Sequence, residues 1–101
     1  MKMFVCTTCT EDSRAFLAKA RNALPNLTIE PIDCMSGCAR AQTVAFRAIG
    51  KTAYLFGEVT TVDLPALETF SVLYEASLDG IFPDARVLGG LRTKAIARIP
   101  A

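Results

Sequence analysis

The chain contains no histidine in its 101 residues. With no imidazole, Ser-His-Asp and Cys-His catalytic arrangements are excluded, and so is any cofactor site that needs a histidine ligand. An excess of charge is missing as well. Eleven Lys and Arg against ten Asp and Glu give a formal net charge of +1, which leaves no electrostatic footprint for nucleic acid or an anionic membrane. No stretch approaches the roughly 18 consecutive apolar residues needed to cross a bilayer. The opening Met1-Lys2-Met3-Phe4-Val5-Cys6 is too short an apolar run for a signal peptide, and no small-residue cleavage site follows. Internal repeats, low-complexity tracts, linkers, a phosphate-binding glycine loop and a paired-carboxylate site are absent too. These gaps predict a single cytoplasmic, soluble domain over residues 1–101, with no nucleic-acid or membrane partner. Its balance of 51% apolar and 21% charged residues is that of an ordinary globular chain.

What the chain does have is four cysteines in two tight pairs, Cys6-Thr7-Thr8-Cys9 and Cys34-Met35-Ser36-Gly37-Cys38. In a reducing cytosol, paired cysteines are more often metal ligands or catalytic thiols than structural disulfides. A buried cysteine can serve merely as a small hydrophobe. Four of them, in two close pairs separated by turn residues, argue against that.

The hydrophobic pattern places these pairs. Met3-Phe4-Val5 reads as a short buried strand ending at Cys6. Thr10-Glu11-Asp12-Ser13 reads as a helix start with a capping hydroxyl and acids in the first turn. Phe16, Leu17, Ala20 and Leu24 then recur at helical spacing until Pro25-Asn26 ends the helix. Leu27, Ile29 and Ile32 suggest a half-buried second strand running into Cys34. Residues 43–47 and 52–56 alternate around Gly50-Lys51 as a hairpin. Asp63 and Pro65 open a second helix with an apolar stripe of Leu67, Phe70, Leu73, Tyr74 and Leu78, stopped at Asp79-Gly80. Residues 81–101 form a carboxyl-terminal arm with a bend at Gly89-Gly90 and either a short strand or irregular chain from Leu91 to Ile99.

The order β-α-β-β-β-α with this arm predicts an α/β (α+β) thioredoxin-like fold with a mixed sheet. Its first two strands are parallel, and parallel neighbours bring their carboxyl ends to one edge. Both cysteine pairs are thereby expected at one end of the molecule.

Three chemistries fit four such thiols. An iron–sulfur cluster is held by cysteine thiolates, and the small residues Thr7, Thr8, Ser36 and Gly37 let backbone N–H groups point at sulfur. A tetrahedral all-thiolate zinc site would instead make the chain a folded interaction module. Dithiol redox chemistry suits a C-x2-C at a strand–helix boundary. That chemistry, however, has no use for a second pair, and it is accompanied by a cis-proline before the third strand where this chain has Ala41-Gln42-Thr43. Spacing and topology leave iron–sulfur and zinc equally open.

The run from Cys34 to Val59, CMSGCARAQTVAFRAIGKTAYLFGEV, resembles the second half of the thioredoxin-like [2Fe–2S] ferredoxins. There a C-x3-C loop precedes a Val-rich strand, a Gly turn, and a strand carrying an aromatic before Gly-x-Val. The chain is closer still to a bacterial family of uncharacterised, predicted metal-binding proteins with the C-x2-C start and a Cys-Met-Ser-x-Cys loop. The resemblance implies that Cys6, Cys9, Cys34 and Cys38 ligate a [2Fe–2S] cluster, with Zn2+ as the alternative metal. It further implies one-electron transfer to a redox partner protein, no enzymatic active site, and a homodimer. Two departures stand out: the first pair is spaced more closely than in those ferredoxins, and Ala41-Gln42 stands where Gly-Pro is common.

Among other residues, Arg40 is placed two positions after Cys38, where a cation beside the cluster or a solvated loop charge are equal readings. Arg47 is expected on the wet face of a strand, Tyr54 and Phe56 in the core, and Lys51 as a surface charge at the hairpin turn.

Overall fold

The computed structural model describes residues 1–8, 10–33, 41–82 and 85–100. Among these residues, five strands and two α-helices follow in the order β1 (Lys2–Cys6), α1 (Ser13–Ala23), β2 (Ile29–Ile32), β3 (Val44–Arg47), β4 (Ala53–Phe56), α2 (Leu64–Ala76) and β5 (Ala95–Ile99). They form one mixed sheet in the order β2-β1-β3-β4-β5. β1 and β2 run parallel, and every other neighbouring pair is antiparallel. The fold is therefore the mixed-sheet, thioredoxin-like α/β arrangement that the element order predicts. No described helix is long and apolar enough to cross a membrane.

Strand alternation explains where the core sits. Met3 pairs with Phe46, Val5 with Val44, Val44 with Phe56, and Phe46 with Tyr54, so these six side chains share one face. All are buried. Phe16, Leu17 and Ala20 of α1 and Leu67, Phe70 and Tyr74 of α2 belong to the same buried cluster, so both helices complete one layer on that face. Phe70 sits edge-on to Phe46 at 4.7 Å and to Tyr54 and Phe56 at 5.2 Å. Burying each such ring contributes about 1.5–3 kcal/mol. The two phenols keep their polar ends satisfied: Tyr54 donates to the Gly80 carbonyl at 2.5 Å and Tyr74 to that of Thr52 at 2.6 Å. Burial pushes both phenols above their ordinary range, so they remain donors. Gly80 adopts φ +72, and a Cβ there would stand 2.8 Å from Tyr74 Cε1, so the turn under these rings requires glycine. On the opposite face, Glu30, Phe4, Ala45, Leu55 and Ala97 line up across all five strands.

Several local expectations are corrected. Helix α1 begins at Ser13 rather than at Thr10, and no acid lies in its first turn. The Thr10 hydroxyl instead accepts from the Asp12 N–H at 3.1 Å, forming a turn ahead of the helix. Leu78 is not part of the α2 stripe. The helix stops at Ala76, its Ser77 cap turns extended, and Leu78 is fully exposed. Lys51 is more than a surface charge: its Nζ donates to the carbonyls of Tyr74 at 2.7 Å and Glu75 at 3.0 Å, closing the carboxyl end of α2. The arm runs as a 3-10 helix over Ala85–Lys94, bent at Gly89 (φ 57), and only Ala95–Ile99 of the stretch from Leu91 is strand, β5, which pairs with β4. Arg47 is exposed, and Tyr54 and Phe56 are buried, as the alternation predicts. Pro31 lies in the outermost strand β2, where a missing N–H is tolerated.

The segment joining β4 to α2 is locked by Asp63. Its carboxylate accepts from the Thr60 N–H at 2.8 Å and from the Lys94 ammonium, which arrives from the arm just before β5. Burial alone would raise this carboxyl, but the Lys94 and Thr60 donors outweigh it and hold it below the ordinary carboxylate range.

Candidate metal centre

Cys6 is the last residue of β1 and is fully buried. Its strand partner is Ile32, the last residue of the parallel strand β2, two positions before Cys34. The chain immediately beyond β1 and β2 is stitched together by Thr7. Its N–H donates to the Ile32 carbonyl at 2.9 Å, and its hydroxyl donates to the same oxygen at 3.3 Å. The parallel pairing thus brings the start of the first cysteine loop and the entry to the second to one edge of the sheet.

The Cys6 thiol and the Thr8 hydroxyl lie 3.5 Å apart. A hydroxyl in this position can donate to a thiolate, which a metal-binding cysteine must become. The Cys6 backbone is held on both sides: its N–H donates to the Thr43 carbonyl at 3.3 Å, and its carbonyl accepts from Gln42 Nε2 at 2.7 Å.

Gln42 is the hub of a buried polar network. Nε2 also donates to the Thr43 carbonyl at 3.0 Å, and Oε1 accepts from the Ser13 hydroxyl at 2.7 Å. Ser13, at the start of α1, accepts in turn from the Thr10 N–H at 3.0 Å. The Gln42 carbonyl takes the N–H of Val59 at 3.1 Å, so the Gly-x-Val turn after β4 closes onto the same edge. The peptide bond between Ala41 and Gln42 is cis although residue 42 is not proline.

Of the four cysteines that the sequence singles out, Cys6 is described, whereas Cys9, Cys34, Cys38 and the nearby Arg40 lie outside the described residues. Among the described residues no three His, Cys, Asp or Glu side chains gather as a metal site. Thr8, Thr10, Asp33 and Ala41 flank the residues that are not described, and each adjoins residues that meet at this edge. The donor set fits a soft-metal or cluster site, because four thiols and no imidazole select iron–sulfur or zinc over hard cations. Among the described residues, the hydroxyls of Thr8 and Ser13 and the amide of Gln42 offer hydrogen bonds here without competing as ligands.

Gln42, Ser13 and Thr43 are the residues that sequence reasoning missed. The position before β3 was legible as a place facing the cysteines, but a buried glutamine reads from sequence as any polar loop residue. A separate groove of about 570 Å³ between the carboxyl end of α1 and α2 is lined by Met1, Leu24, Leu27, Ser71 and Val72 among others. It lies at the amino ends of β1 and β2, opposite the cysteine edge.

A family model described as "Protein of unknown function (DUF1636)" matches residues 3–101. No curated protein and no solved structure matches the chain.

Proposed function

The chain belongs to the DUF1636 family, and we propose that it is a one-electron carrier whose Cys6, Cys9, Cys34 and Cys38 hold a [2Fe–2S] cluster. The observation that carries this reading is the parallel β1–β2 pair, tied by Thr7 to Ile32, which starts both cysteine loops from one sheet edge. When bound, such a cluster supplies a single electron to or from a partner protein's redox centre. The chain's own part is to hold four thiols together and to shape the hydrogen bonds around them. Thr8 is set to donate toward the Cys6 sulfur, and Thr7 and Gln42 fix the backbone on either side of it. The carrier needs no catalytic residues of its own. The reading assigns it to the reducing cytoplasm, where thiols stay available to metal. It also makes the protein a homodimer, with β5 of the carboxyl-terminal arm, one of the two outer strands, as the edge for that contact.

The test is substitution of the ligands. Anaerobically prepared protein should be red-brown and bleach with dithionite, and Cys34→Ser or Cys38→Ser should abolish the colour. Colour that survives loss of both would show that the ligand assignment is wrong.

A further inference from the structure

We infer that Gln42 is a positioning residue for the four-thiol centre, holding both ends of the first cysteine loop and the exit of the second through one side chain. The inference rests on the metal-centre reading above.

The network is closed in the sense of donors and acceptors. The Gln42 amide uses both N–H donors, on the carbonyls of Cys6 and Thr43, and its oxygen accepts the Ser13 proton. Ser13 has one proton to give, and that proton goes to Gln42; its lone pairs receive the Thr10 N–H at 3.0 Å and the Thr10 hydroxyl at 3.3 Å. Ser13 is fully buried and Gln42 is 7% exposed, so water does not readily replace either partner.

Position along the chain gives the network its consequence. Cys6 and Thr10 bracket Cys9, and each is bonded to Gln42 directly or through Ser13. Gln42 itself follows the stretch that carries Cys34 and Cys38. One glutamine therefore fixes where the first loop leaves β1, where it enters α1, and where the second loop rejoins the sheet. Holding Cys6, Thr10 and Gln42 in place before metal arrives lowers the ordering cost of binding. Leucine in its place would take away the Gln42 donor from the Cys6 carbonyl and the Gln42 acceptor from the Ser13 proton.

The test compares wild-type protein with Gln42→Leu and Ser13→Ala after anaerobic reconstitution with ferrous iron and sulfide. Far-UV circular dichroism reports folding, visible circular dichroism reports the cluster's surroundings, and loss of colour to EDTA reports retention. Folded Gln42→Leu should lose its cluster about 10–100-fold faster, the range for outer-shell partners of metal ligands, with an altered visible spectrum. Ser13→Ala should move the same way by less. Folded Gln42→Leu with wild-type retention and spectrum would overturn the proposal. If Gln42→Leu does not fold, Ser13→Ala decides, and wild-type behaviour there overturns it. A wild-type chain that takes up zinc but no iron removes the electron-carrier reading alone, and the positioning role is then read from faster zinc release in the variants. A chain that binds neither metal overturns both.

Discussion

The backbone N–H of Thr7 donates to the carbonyl of Ile32 at 2.9 Å, joining the residue after Cys6 to the residue two before Cys34. This bond marks the point where two loops, separated by a helix and a strand, leave the sheet side by side. It follows from parallel pairing: had β1 and β2 been antiparallel, the two cysteine pairs would stand at opposite ends of the domain.

Cys6→Ala should separate ligand from core. The side chain is fully buried, so the change removes one sulfur from a packed site and should cost about 1–2 kcal/mol in the metal-free protein. Metal content should fall to background. Urea unfolding of the metal-free variant, alongside its metal analysis, checks both; a variant with wild-type metal content would remove Cys6 from the ligand set.

Asp63 and Lys94 should give the protein an acid-sensitive lock. The Asp63 carboxyl is held below its ordinary value near 3.8 in the folded state, so its contribution is fully present above that value. It is lost as pH falls through the lower, folded value. Lys94→Met should therefore cost about 1–2 kcal/mol at pH 7 and progressively less below pH of about 4. Urea midpoints measured across pH 2–7 check the convergence; an equal cost at every pH would contradict it.

Lys51→Met should loosen the carboxyl end of α2. It removes two bonds, to the Tyr74 and Glu75 carbonyls, and a cation at the helix terminus 5.3 Å from the centre of the Tyr74 ring. The expected loss is about 1 kcal/mol, seen as a lower thermal midpoint, with metal content unchanged because the helix end lies outside the network around Cys6.

The sequence carried much of this arrangement. Alternation in residues 44–47 and 53–56, the Gly50 turn, and the helical spacing from Phe16 to Leu24 are local signals; they predicted the elements, and with them the one edge from which the chain leaves β1 and β2. What it did not carry were long-range hydrogen bonds. Gln42 to Ser13 spans 29 positions and Lys51 to Tyr74 spans 23, and in sequence each of these residues is an ordinary polar side chain in a loop or at a helix start. The same holds for β5. Ala95–Ile99 has only a weak strand signature on its own, and its pairing with β4 sets it as a strand. A cis bond before a residue other than proline has no signature in a single sequence.

The most direct test is the iron and acid-labile sulfide content of anaerobically purified protein, read together with its electron paramagnetic resonance after dithionite reduction. The account predicts about two irons and two sulfides per chain, and a half-integer spin signal that disappears on reoxidation. A colourless, resonance-silent protein carrying about one zinc per chain would contradict it.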